Sequence, residues 1–156
     1  MELYLLRHGI AEDRSASGED AHRVLTAAGI KQITHTALAM QTLQITLDVI
    51  VASPYYRTRQ TADLVGHNYQ LTPVVDNRVA PGFDDKNLLH ITQQLQKNKV
   101  LFVGHEPDLS WIVWTLVGQR INVPRAALMR LDSSPRGWEL MYNLAPQAQA
   151  ALLKYS

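Results

Sequence analysis

Three short clusters hold the side chains of this chain best suited to chemistry: Arg7-His8-Gly9, Ser53-Pro54 with Arg57 one turn along, and Gly104-His105. Two histidines and two arginines brought to one place suit a phosphoryl group. Guanidinium forks match tetrahedral oxyanions in a bidentate way, and helix N-termini add backbone donors. A neutral imidazole nitrogen can attack phosphorus, so that one hard displacement becomes two easier ones. Whether the four side chains meet depends on the elements that carry them.

Each cluster follows an apolar run. Met1–Leu6, Leu47–Ala52 (with Val49-Ile50-Val51) and Val100-Leu101-Phe102-Val103 read as strands buried on both faces, each ending at polar residues. In open α/β sheets ligands bind outside the carboxyl ends of the strands, so neighbouring strands would gather the clusters at one edge. Between them, Ile10–Arg23 is polar and aperiodic and reads as a loop. Thr26 is a candidate N-cap for a helix to about Gln41, with Ile30, Ile33, Ala37, Leu38 and Met40 as its inner stripe. Ser53 and Pro54 suit the N-cap and first position of a second helix that stops near Gly66. Thr72–Asp76 is a short strand candidate, followed by a turn at Pro81-Gly82 and a helix over Lys86–Gln96. A further helix is expected over Asp108–Val117, with Trp111, Ile112, Trp114 and Leu116 turned to the core. Ala126–Leu131 and Trp138–Tyr142, separated by Ser133, Ser134, Pro135 and Gly137, form a hairpin signal. The expected architecture is a three-layer α/β/α sandwich with a mixed, mostly parallel sheet, as one domain over residues 1–156.

Composition narrows the function. Fifteen Lys plus Arg against fourteen Asp plus Glu leave a net charge of +1, so no basic surface for nucleic acid or acidic membranes is expected. Cysteine is absent, which excludes disulfides, thiolate metal sites and cysteine nucleophiles. No apolar run reaches the roughly 18 residues of a membrane span. Glu2, Arg7 and His8 interrupt any signal-peptide core, so a cytoplasmic protein is expected.

Leu5-Leu6-Arg7-His8-Gly9, then Ser53-Pro54-Tyr55-Tyr56-Arg57-Thr58-Arg59-Gln60-Thr61-Ala62, then Val103-Gly104-His105-Glu106-Pro107 resemble the histidine phosphatase superfamily. The short chain, Arg23-Val24-Leu25-Thr26 with Gly29 beyond, and the His-Glu-Pro ending are most similar to its SixA-type phosphohistidine phosphatases. The resemblance spans Met1 to about Leu116. It implies a phosphoglycerate mutase-like fold and a metal-independent, cofactor-free phosphatase. His8 would be the phosphate-accepting nucleophile, its second ring nitrogen held by a backbone carbonyl. Arg7 and Arg57 would bind the phosphoryl oxygens, His105 would complete the pocket opposite His8, and Gly9 would allow close backbone approach beside it.

The leaving-group acid is less clearly written. In phosphoglycerate-mutase relatives a glutamate after the third strand protonates the departing oxygen. Here Asp76-Asn77-Arg78-Val79-Ala80-Pro81-Gly82 holds no glutamate, which leaves Asp84, Asp85 and Glu106 as candidates. A phosphoramidate leaves as an imidazole and needs less acid than an alkoxide, so the gap favours phosphohistidine over phosphomonoesters. A small-molecule phosphomonoesterase and a non-catalytic phosphate-recognition module are the alternatives. With little chain left for a lid, an open pocket is expected, suited to a phosphorylated protein such as a histidine phosphotransfer domain.

Blander readings cover the rest. Arg59, about 200° around a helix from Arg57, is expected at the surface. His22, His35, His67 and His90 are expected in loops or on helix faces, and Tyr55 and Tyr56 at a helix start. Zinc held by His8, His105 and Glu106 is disfavoured, because two arginines would repel the ion.

Overall fold

The computed structural model describes residues 1–155. Its strands are β1 (Glu2–Arg7), β2 (Val49–Ala52), β3 (Val74–Val75), β4 (Lys99–Gly104), β5 (Leu128–Ser134) and β6 (Gly137–Leu144). The helices are α1 (Ala27–Thr42), α2 (Tyr56–Tyr69), α3 (Asp85–Leu95), α4 (Asp108–Val117) and α5 (Pro146–Lys154). The strands form one sheet in the order β3-β2-β4-β1-β5-β6. β1 to β4 run parallel, and β5 and β6 add an antiparallel hairpin at one edge. This is the mixed α/β/α sandwich anticipated from the strand and helix order.

Alternation along the central strands feeds two cores. Leu3 and Leu5 of β1, Val51 of β2, and Val100 and Phe102 of β4 pack with Leu88 and Ile91 of α3 and Ile112 and Val113 of α4. Tyr4, Leu6, Ile50, Ala52, Leu101 and Val103 pack on the other face with Ile33, Ala37 and Met40 of α1 and Ala62 and Val65 of α2. Burial on both faces is why these strands read as unbroken apolar runs. The same period of two carries past the strand ends. It sends His8 and His105 toward the α1 and α2 face.

Several local expectations change. Ile30 and Leu38 are 43% and 42% exposed, and α1 buries Ile33, Ala37 and Met40 instead. Spacings of four and three residues make that the narrower true stripe. Trp111 is 59% exposed and Trp114 38%, so α4 turns Leu109, Ile112 and Val113 inward and leaves both indoles outside. α2 starts at Tyr56 rather than Pro54 and runs through Gly66 to Tyr69. Gly66 is no stop signal: a Cβ there would lie 2.4 Å from the Leu71 carbonyl oxygen, so glycine admits the returning chain. α5 had no anticipating signal beyond Pro146 at its first turn. Thr26 does cap α1, its Oγ1 accepting from the Gly29 amide at 3.0 Å. Among the described residues no helix is long and apolar enough to cross a membrane.

Candidate functional site

Register brings the clusters together. Arg7 pairs with Gly104 and Ala52 with Val103, so His8, His105 and Ser53 leave adjacent strands at one edge. The His8 amide donates to the Gly104 carbonyl (3.3 Å), and the Ser53 amide to the Val103 carbonyl (3.1 Å). The His8 and His105 ring centroids stand 5.6 Å apart. Arg7, His8, Asp20, Arg23, Arg57, Pro81, His105, Glu106 and Arg125 line a cavity of about 330 Å³. Four guanidiniums face two carboxylates there, so the cavity selects anions.

His8 is held at both nitrogens. Its Nδ1–H donates to the Gly9 carbonyl (2.7 Å), and its Nε2 accepts from Arg57 Nε (3.3 Å). A carbonyl cannot donate and a guanidinium cannot accept, so both contacts require the same neutral tautomer. Burial, reinforced by the positive charge of Arg57 and Arg7, lowers the His8 pKa to about 4. The ring therefore presents an uncharged Nε2 at neutral pH.

Gly9 acts through its backbone. It lies outside the cavity lining, and a Cβ on it would lie 2.8 Å from Ile33 Cγ1 and 3.0 Å from the Gly29 carbonyl oxygen. The close approach that needs glycine is thus to α1. From α2, Thr61 Oγ1 accepts from the Gly9 amide (3.2 Å) and donates to the Arg57 carbonyl (2.8 Å), joining the two clusters.

Arg57 is buried, and its Nη1 and Nη2 reach the Asp20 carbonyl (2.8 Å) and Asp20 Oδ2 (3.1 Å). Asp20 sits on a 3₁₀ turn, Asp20–His22, and also pairs with Arg23 at 2.8 Å. The hydrogen bonds from Arg23 and then Arg57 hold its carboxyl below the ordinary range. Arg7 Nη1 donates to the Val123 carbonyl (2.9 Å), while its buried Nε has no partner among the described residues.

His105 leans on Ser53, with 2.7 Å between Nε2 and Oγ, and its buried Nδ1 has no partner among the described residues. Burial, with the charge of Arg57 and, in acid, of protonated His8, lowers its pKa to about 3. Ser53 is fully buried and also accepts from the Tyr55 amide at 3.3 Å. Its expected N-cap role gives way to holding His105, because α2 begins three residues later. Tyr55 meets His105 in a T-shaped contact (5.0 Å between centroids) and lies with its face under Arg57 (5.0 Å), while Tyr56 stacks on His22 at 4.8 Å. Orphaned buried nitrogens on Arg7 and His105, both lining residues, suit a ligand rich in acceptors.

The three carboxylate candidates separate. Glu106 lines the cavity, its Oε1 accepting from the Ser110 amide (2.8 Å). Asp84 caps α3 by accepting from the Asn87 amide, and Asp85 is the first residue of that helix; neither lines the cavity. Arg78, at the place of the missing glutamate, is taken by Asp76 and Gln94. Arg59 is exposed, as expected. Among the described residues no group of three or more His, Cys, Asp or Glu stands close enough to hold a metal ion. Asp20, Arg23 and Arg125 have no site role in the sequence reading, since they come from loops whose return to the strand ends has no local signal. The one available hint is Arg23, inside the family-like Arg-Val-Leu-Thr segment.

Comparison with known proteins bears on the family and the fold. Residues 3–81 match the histidine phosphatase superfamily (branch 1). An uncharacterised protein of Picosynechococcus sp. is 34% identical over 141 residues, 85% of this chain and 86% of its own. The protein histidine phosphatase SixA complexed with tungstate superposes with a TM-score of 0.85 at 22% identity, covering 94% of this chain and 98% of that one. A candidate SixA phosphohistidine phosphatase from Agrobacterium tumefaciens gives 0.79 at 25% identity, covering 93% and 97%.

Proposed function

Because the chain belongs to the histidine phosphatase superfamily (branch 1), we propose that it hydrolyses phosphohistidine on a protein partner through a covalent intermediate on His8. The observation that carries this reading is the doubly held His8 ring, which offers a neutral Nε2 to a cavity lined by arginines. The Nε2 lone pair attacks phosphorus, and the P–N bond to the substrate imidazole breaks with its electron pair on that imidazole. Water then attacks the phosphorus, the bond to His8 breaks, and phosphate leaves with the ring restored. Through both steps Nδ1–H stays on the Gly9 carbonyl, so His8 sheds no proton.

Arg7 and Arg57 hold the phosphoryl oxygens, and His105, with Nε2 accepting from the Ser53 hydroxyl, donates to them from Nδ1, which has no partner among the described residues. Fixed charges of this kind need no reorganisation as charge shifts in the transition state. Glu106 is the one of the three candidate carboxylates that lines the cavity, and we assign it the proton passed to the leaving imidazole. Asp20, ionised between two arginines, is a poor acid.

Rapid quench with a radiolabelled phosphohistidine peptide tests the reading. Acid-labile label should appear on wild type and be absent from His8→Ala, and the peptide should turn over faster than a sugar phosphate. Faster turnover of the sugar would favour the small-molecule phosphomonoesterase. Binding of phosphate without any labelling would leave a recognition module.

A further inference from the structure

Arg125 differs from the other arginines of the cavity. Arg57 is engaged with His8 and Asp20, Arg23 with Asp20 and the Glu12 carbonyl, and Arg7 with the Val123 carbonyl. Arg125 is exposed at the mouth and has no hydrogen-bond or ion-pair partner among the described residues. Its backbone is nonetheless fixed. The next residue, Ala126, is fully buried and held at φ +62°, a left-handed conformation unusual for a residue with a side chain.

Three contacts hold that strained turn in place. The Ala126 amide donates to the His8 carbonyl (3.1 Å), its carbonyl accepts from buried Gln149 Nε2 (2.7 Å), and the Ala127 amide donates to the Pro124 carbonyl (3.0 Å). Strain persists where surroundings over-determine it, and it clusters at ligand sites. Here it ties the position of Arg125 directly to the backbone of His8.

Arg125 and Arg7 also form the wall between two cavities. Beyond them lies a more open space of about 550 Å³, completed by Gln32, Pro124, Pro146 and Gln147. The uncapped first turn of α5, which supplies Pro146 and Gln147, adds a field of the same sign. A phosphoryl group seated between His8 and His105 already has Arg7 and Arg57, so Arg125 is free for whatever extends past it.

Resting on the phosphatase reading above, we propose that this second cavity is a subsite for a second anionic group of the substrate, a carboxylate within a few bonds of the phosphoryl group, and that Arg125 recognises it. In a phosphoprotein this would be an acidic side chain beside the phosphohistidine; in a small molecule, the carboxylate of a phosphorylated acid.

Calorimetric binding of phosphonoacetate and methylphosphonate tests the subsite without requiring turnover. Wild type should bind phosphonoacetate about tenfold more tightly, the gain expected from one charge-assisted contact. Arg125→Met should bring the ratio below about twofold, and Arg125→Lys should restore part of it. Equal affinities in wild type would overturn the subsite. So would an equal loss of both ligands in Arg125→Met, which would make Arg125 a phosphoryl ligand. Phosphohistidine peptides flanked by Glu or Gln, set beside phosphoglycolate and ethyl phosphate, then separate the two sources by which pair responds to Arg125→Met. If none of these donors is turned over while the phosphonate ratio holds, the catalytic reading fails and the subsite stands.

Discussion

Arg57 Nε points at His8 Nε2 from 3.3 Å, so the free protein keeps a guanidinium where an incoming phosphorus must approach. The contact has two consequences. It selects the tautomer with a lone pair on Nε2, and it adds positive charge that opposes protonation of the ring. A cation is thus used to keep its neighbour neutral.

That neutrality predicts a pH profile. With the His8 pKa lowered to about 4, the neutral form dominates from pH 8 down to about 5. Labelling of His8 at saturating donor should be nearly flat across that range and fall as pH approaches 4. A midpoint near the ordinary histidine value of about 6.5 would contradict the buried, arginine-faced ring.

The same shifts make stability depend on pH. His8 and His105 have folded pKa values of about 4 and about 3, below the ordinary value of both in the unfolded chain. The unfolded state therefore binds more protons, and stability rises with pH. The contribution is complete above about pH 6.5 and is lost as pH falls from there toward 4 and then 3. Urea midpoints should drop between pH 7.5 and pH 5, less steeply in His8→Phe. Phosphate should oppose the drop, since an anion in the cavity offsets the charge on protonated rings. An unchanged midpoint across this interval would sink the prediction.

Asp20 occupies Arg57 in the free protein and shares it with any entering phosphate. Asp20→Asn keeps the backbone contact to Arg57 Nη1 while removing a negative charge from the cavity. Phosphate should then inhibit more strongly, by a few-fold. The Asp20 side chain is more than half exposed, which limits such a pair to about 1 kcal/mol. Weaker inhibition by phosphate would instead make Asp20 a residue that positions Arg57 for binding.

Much of this site is legible along the chain, and what is hidden has a physical cause. Tyr4 and Leu6 point one way and Leu3 and Leu5 the other into two separate cores, so β1 has to be apolar throughout and its polar end is conspicuous. Helix faces are harder to read. Ile30 and Leu38 flank the true stripe of α1, and α4 is apolar enough to leave Trp111 and Trp114 outside without losing its packing. Asp20 and Arg125 carry no local signal for another reason. Their positions depend on contacts across 37 residues (Arg57 to Asp20) and on the pairing of Ala126 with His8. No local pattern encodes either. Ser53 shows the limit of a motif reading: the residue was visible, but its hydroxyl serves a histidine 52 positions away.

Ser53→Ala isolates that hydroxyl. The change leaves His105 Nε2 without its partner in a buried place and the half-buried Tyr55 amide without its own, costing about 1–3 kcal/mol of stability. An unanchored His105 ring should also lower kcat by on the order of 10–10² while KM changes less. Loss of stability with unchanged kcat would confine Ser53 to a structural role.

Gly29 tests how firmly the nucleophile's support is set by packing. A Cβ there would lie 2.0 Å from the Ile10 carbonyl oxygen and 2.9 Å from its carbonyl carbon, so the backbone itself has to yield. Alanine improves helix propensity by about 1 kcal/mol, whereas forced repacking costs about 1–3 kcal/mol. The clash should win, because backbone gives way less easily than a flexible side chain. Ile10 also accepts from the Thr26 amide and adjoins Gly9, whose carbonyl holds His8 Nδ1. Gly29→Ala should therefore lower both the urea midpoint and the rate of His8 labelling, with the rate falling even at temperatures where the protein stays folded. A variant as stable and as active as wild type would show that the first turn of α1 does not support the His8 ring.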